Sequence, residues 1–233
     1  MSYDAIKNSI KVCMFDQYGT VVDMQGGLTK IAAPYLAAKG WTGNPGSFVT
    51  WWRRTHFENS MIDALLHQAH TPYREIGFRA VAHVLERSGI AYTDDEVRGL
   101  VAEIEKLECF PEVPAALARL QTKFKLVVLS NGDPDMLNNA KPHMGYAFDD
   151  YISIATSGYF KPHAATYKKA AEILKTPIGQ IMHVANHAFD CIGAQAQGMR
   201  GGYINRRNRP YEDTPFQPDL VVGTLKELAD ALC

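Results

Sequence analysis

Val12-Cys13-Met14-Phe15-Asp16-Gln17-Tyr18-Gly19-Thr20 reads as a short apolar run that ends abruptly on a carboxylate and then turns. A buried parallel strand delivers the residue at its carboxyl end into the crevice where open α/β sheets hold ligands, so Asp16 is placed to act on a substrate. The position two residues on carries Tyr18 rather than a second aspartate. That substitution narrows the chemistry.

Working outward, residues from about Gly26 to Glu108 show almost no strand pattern. Ile31, Tyr35 and Leu36 predict one helix, Phe48, Trp51, Trp52 and Thr55 a second, and Ile76, Ala80, Val84 and Leu85 a third. Thr93-Asp94-Asp95-Glu96 opens a fourth, since threonine followed three positions later by glutamate is a capping-box pattern. From Pro111 helices and strands alternate. A helix over Glu112 to Gln121 precedes the strand Leu126-Val127-Val128-Leu129, which stops at Ser130-Asn131-Gly132-Asp133-Pro134, polar residues with a helix-start signal. Tyr151 to Ile154 leads to Lys161-Pro162 and a helix through Lys175. Ile181 to Val184 leads to Asn186-His187-Ala188-Phe189-Asp190 and a helix to Gly198. Gly202-Tyr203-Ile204 and Leu220-Val221-Val222 complete the strands. The pattern predicts an α/β protein: a Rossmann-like parallel sheet core (1–24 and 109–233) with an inserted helical cap subdomain (25–108).

With 233 residues, 46% of them hydrophobic, the chain can bury a full core. Net charge of -1 and pI near 6.7 argue against nucleic acid as the main partner. The run Asn205-Arg206-Arg207-Asn208-Arg209 reads by default as a solvated turn. The four cysteines, Cys13, Cys109, Cys191 and Cys233, have no Cys-x-x-Cys pairing and fit a reducing compartment, with Cys13 inert in its strand. Met1-Ser2-Tyr3-Asp4 has no signal-peptide pattern and no apolar stretch could span a bilayer, so the expectation is a cytoplasmic protein without a membrane partner.

Four sequence-distant stations fall at strand ends: Asp16 with Thr20, Ser130 with Asn131, Lys161, and Asp190. Taken singly, each has a plain reading as a cap, a turn or a solvated loop residue. Together, in that order, they resemble the haloacid dehalogenase superfamily across the whole chain. Phosphatases of that superfamily place a second aspartate two residues after the nucleophile and hold magnesium through further carboxylates in the last loop. This chain has Tyr18 and a single Asp190 there.

Phe15-Asp16-Gln17-Tyr18-Gly19-Thr20 is similar instead to the Phe-Asp-x-Tyr-Gly-Thr pattern of the L-2-haloacid dehalogenase branch. Trp52-Arg53, Ser130-Asn131-Gly132, and Lys161-Pro162 with Tyr167 match it as well. The resemblance implies hydrolytic dehalogenation of short 2-haloalkanoic acids, haloacetate or L-2-halopropanoate, to 2-hydroxy acids. The route is an aspartyl ester with inversion at C2, without metal or cofactor. It gives Asp16 as nucleophile, Thr20 orienting it, Lys161 and Asp190 completing the site, and Arg53 receiving halide and substrate anion. Tyr18, Ser130, Asn131, Tyr167, His187 and Phe189 are the substrate- or halide-binding candidates, and either Asp190 or His187 activates water.

In the last loop Ala185 stands where relatives commonly have serine, and His187 where they have asparagine. The family also forms homodimers through insert helices. The stripe Phe48, Trp51, Trp52 suits either that contact or an internal core. A metal-dependent phosphatase and a noncatalytic organic-acid-binding module are the alternatives.

Overall fold

A computed structural model describes residues 3–66 and 70–233; the readings of Met1 and Ser2 lie outside them. A short helix, α1 (Tyr3–Ser9), precedes β1 (Val12–Phe15), whose four residues are all buried. The sheet continues with β2 (Lys125–Ser130), β3 (Asp150–Ser153), β4 (Ile181–Ala185), β5 (Arg200–Ile204) and β6 (Leu220–Val222). All pairings are parallel, in the order β3-β2-β1-β4-β5-β6. The chain runs outward from β1 through β2 to β3, then returns to place β4 on the other side of β1. The carboxyl ends of β1 and β4 therefore flank the switch point, where an open sheet leaves a crevice.

Four α-helices follow β1 as the insert: α2 (Met24–Ala38), α3 (Pro45–Leu66), α4 (Tyr73–Arg87) and α5 (Asp94–Ala102). Then come α6 (Val113–Leu120) and α7 (Pro134–Ala140), α8 (Ala164–Leu174), α9 (Ala188–Gln195) and α10 (Leu225–Leu232). Helix α3 packs between α2 and α4. Its buried face carries Phe48, Val49, Trp52, His56, Ser60 and Ala64. The apolar stripe expected there is split, because Trp51 is 42% exposed and lies under Arg87, whose guanidinium carbon is 4.1 Å from the ring centroid. The Thr93 capping box forms as expected.

Asp133-Pro134 starts a helix, α7, as the sequence predicts, but the Asp133 carboxylate serves another element. Asp133 occupies the N-cap position of α7 without making a side-chain bond there. Its two carboxylate oxygens instead accept from the backbone N–H groups of Tyr73 (2.9 Å) and Arg74 (3.0 Å). The loop after β2 thus caps the first turn of α4 and ties the helical insert to the sheet. Arg74 reinforces the joint through Glu105 and Asp135. Among the described residues, no helix is long and apolar enough to cross a membrane.

Candidate active site

Asp16 follows the last residue of β1, and its N–H donates to the Val184 carbonyl of β4 at 2.9 Å. The chain then folds back, with the N–H groups of Val21 and Val22 donating to the Gln17 carbonyl. Gly19 turns through φ 93°, where a side chain would be strained; its Cβ would also meet His187 at 3.1 Å and Arg53 at 3.2 Å. The turn brings the Thr20 hydroxyl to Asp16 Oδ2 at 2.8 Å. Asn186, after β4, locks it by donating its N–H to Thr20 Oγ1 (2.8 Å) and its Nδ2 to the Gly19 carbonyl (3.0 Å).

Lys161 is 1% exposed and bridges two carboxylates, with Nζ 3.1 Å from Asp16 Oδ1 and 2.8 Å from Asp190 Oδ2. Its backbone N–H donates to Asn131 Oδ1 at 3.1 Å, so the β2 loop sets the height of the lysine. Tyr167 donates its hydroxyl to Asp190 Oδ1 at 2.7 Å. His183, on β4, brings Nε2 to 2.8 Å from the same oxygen. That contact is close but does not meet hydrogen-bond geometry, and both ring nitrogens of His183 are without a hydrogen-bond partner among the described residues. Asp190 is fully buried with both oxygens engaged.

Burial alone would raise the Asp16 pKa, but the Lys161 charge and the His187 contact overcome it and hold the carboxyl below its usual range. For Asp190, burial is overcome in the same way by His183 and Lys161, and the group stays ionised. Lys161 is raised: the two carboxylates outweigh its desolvation. Cys13, by contrast, is pushed far up by burial and is inert as a nucleophile.

A cavity of about 450 Å³ opens over Asp16 between the insert and the sheet edge. Of the residues expected to bind substrate, Tyr18, Arg53, Asn131, His187 and Phe189 line it; Ser130 and Tyr167 do not. Ser130 is buried and its hydroxyl accepts the Gly132 N–H at 3.2 Å, while Tyr167 serves Asp190. Within Trp52-Arg53 the roles divide. Trp52 packs wholly inside the insert, and Arg53 faces the cavity with Nη1 donating to Gln25 Oε1 at 3.0 Å.

His187 Nδ1 lies 3.3 Å from Asp16 Oδ2. The Tyr18 hydroxyl has no hydrogen-bond partner among the described residues, and burial raises its pKa well above normal, so it remains a phenol. Phe189 meets Phe57 of α3, ring centroids 4.2 Å apart, forming an apolar wall.

Sequence reasoning missed Gln25, Phe57, Tyr73, Asn186 and His183. His183 left a signal as a polar residue inside the apolar run Ile181 to Val184, and Asn186 as the first polar residue after it. The donor set does not suit a divalent cation between Asp16 and Asp190, because the Lys161 ammonium already fills that space.

Residues 10–198 match the family of haloacid dehalogenase-like hydrolases, and the chain belongs to it. Within that family it falls in the L-2-haloacid dehalogenase branch. It is 25% identical over 226 residues to (S)-2-haloacid dehalogenase H-109 of Pseudomonas putida, covering 96% of this chain and 98% of the relative. With the (S)-2-haloacid dehalogenase of Xanthobacter autotrophicus it shares 27% over 222 residues, 94% of this chain and 83% of the relative. A crystal structure of an L-2-haloacid dehalogenase superposes with a TM-score of 0.88 at 25% identity, over 96% of this chain and 99% of that one.

Proposed function

We propose that this protein hydrolyses the carbon–halogen bond of short 2-haloacids, with residues 25–108 acting as the cap over the site. The observation that carries this reading is an ionised Asp16 held by Lys161 and Thr20, with a phenol, not a carboxyl group, two residues on. A halide leaves without a proton; a phosphate ester's alkoxide needs one. An Asp16 oxygen attacks C2 from behind, the new C–O bond forms as the carbon–halogen bond breaks, and the halide departs with the bonding pair toward Arg53. The configuration at C2 inverts.

Water then attacks the ester carbonyl. Both Asp16 oxygens already have a donor, Lys161 for one and Thr20 for the other, so the developing oxyanion is stabilised whichever oxygen formed the ester. His187, which lines the cavity beside Asp16 Oδ2, takes the proton from water. Asp190 is less suited to that task, since its oxygens are engaged and it is held strongly ionised; it keeps Lys161 charged and placed. The hydroxyl oxygen of the product comes from Asp16, and water replenishes the carboxylate.

The test is halide release from L-2-chloropropanoate. The expected result is stoichiometric halide and the inverted hydroxy acid, undiminished by chelators; hydrolysis of phosphate esters abolished by chelators, with no halide, would contradict it. A cytoplasmic homodimer completes the proposal. Unpaired cysteines and the exposed Ile62, Leu65 and Leu66 at the end of α3 support it, and light scattering measures the assembly.

A further inference from the structure

The run Asn205-Arg206-Arg207-Asn208-Arg209 follows β5 and is the solvated turn its sequence reading predicts, with Arg207, Asn208 and Arg209 exposed, but it is held in a defined shape. Asn205 clamps it: Nδ2 donates to the Arg209 carbonyl and Oδ1 accepts from the Arg209 N–H, each at 2.8 Å. Asn208 takes the left-handed conformation between them, at φ 47°. Arg206 pins the turn to the core, bonding Glu112 at 2.6 Å and the Thr20 carbonyl at 3.0 Å, with its guanidinium 3.8 Å from the Phe110 ring centroid. With Arg206 so committed, Arg207 and Arg209 line the cavity that also holds Asp16 and Arg53.

Those two charges meet no acid. Among the described residues neither forms an ion pair, whereas Arg54, on the same rim, is already matched to Glu58 at 2.8 Å. Arg53 adds to the excess: its Nε is buried without a partner, and burial together with the Arg207 charge lowers its pKa despite the nearby Asp16 and Asp23. Like charges crowded around a partly enclosed cavity are stabilised by a bound anion. A haloacetate or halopropanoate brings one carboxylate and leaves most of the cavity's 450 Å³ empty, a volume within the range, about 300–1,000 Å³, of pockets for larger ligands.

We propose that the site takes 2-haloacids bearing a second carboxylate at the end of a short chain, 2-halobutanedioate being the prototype, with Arg207 and Arg209 holding the second carboxylate. The proposal rests on the dehalogenase reading and narrows its substrate. The balance is unchanged: haloacid dianion and water give hydroxy acid dianion, halide and a proton. Arginine suits the task because its planar fork pairs with a carboxylate through two hydrogen bonds.

The experiment compares kcat/KM for L-2-chlorobutanedioate and L-2-chlorobutanoate by halide release, in the unaltered protein and in the Arg207→Gln/Arg209→Gln double variant. Calorimetric binding of 2-hydroxybutanedioate and 2-hydroxybutanoate runs in parallel. The expected result is a preference for the diacid that falls about tenfold in the double variant, with a matching loss in diacid binding and rescue by the Arg207→Lys/Arg209→Lys pair. A diacid-to-monoacid ratio unmoved by the double variant overturns it, including the case where both substrates slow together and salt abolishes the difference, which is steering of any anion. If neither substrate releases halide, the dehalogenase reading fails and calorimetry still decides the subsite. Tighter diacid binding lost in the double variant sustains it; equal binding of the two hydroxy acids overturns it.

Discussion

The proposed role of Asp16 as nucleophile rests on what surrounds it. Burial pushes its pKa up and Lys161 pulls it down, so removing the lysine leaves burial unopposed. Lys161→Met is expected to lower kcat by about 10²–10³ and to move the acidic limb of the kcat/KM profile to higher pH. A pH–rate series checks both, and an unmoved limb would deny the lysine its electrostatic role. His187→Ala is expected to slow ester hydrolysis by about 10²–10⁴, so that quenched enzyme carries accumulated ester by mass spectrometry. Unchanged turnover and pH dependence would remove His187 from the mechanism. Asp16 stood out in the sequence because it ends an apolar strand, whereas Lys161, in the loop well past β3, and Asp190, in the first turn of α9, stood out only through the joint pattern and the family resemblance. Gln25 and Phe57 did not stand out, because they lie on insert helices whose approach to the sheet no local pattern encodes.

Elements hold these groups at fixed height. Gly193 lets α9 approach α8 closely; a Cβ there would meet the Tyr167 hydroxyl at 2.6 Å and Pro162 Cβ at 2.7 Å. Gly193→Ala is expected to cost about 1–3 kcal/mol of stability by overpacking and to reduce kcat by displacing Tyr167 from Asp190. Urea denaturation with steady-state rates tests this, and a stable, fully active variant would contradict it. All six strands were readable from apolar runs of the right length, and α5 from its capping box. The buried face of α3 was misread, since His56 and Ser60 occupy positions that a hydrophobic pattern assigns to apolar side chains. Helix α10 carries a similar N-terminal signal, Thr224 with Glu227, yet is only eight residues long and was passed over.

At the scale of the molecule, insert and core respond differently to acid. His56 is wholly buried between α3 and α4, stacked on Tyr73 and hydrogen-bonded to its carbonyl at 3.0 Å. Burial lowers its pKa from 6.5 to about 4. Its folded pKa lies below the unfolded one, so the neutral ring's contribution is present above pH 6.5 and is lost as pH falls toward about 4. The loss amounts to about 3 kcal/mol. Asp16 and Asp190, with depressed values, keep their contributions through that window and lose them only at lower pH. Unfolding free energy is therefore expected to decline between those limits, and to decline less in His56→Gln. A flat profile in the unaltered protein would contradict the assignment.

The central claim is that Asp16 forms the bond to carbon and that water then attacks Asp16, not C2. A single turnover in heavy-oxygen water, with enzyme in excess over L-2-chloropropanoate, tests it most directly by mass spectrometry of the peptide containing Asp16 and of the hydroxy acid. The account predicts label in the Asp16 carboxylate and unlabelled product; label in the hydroxy acid with Asp16 unlabelled would contradict it.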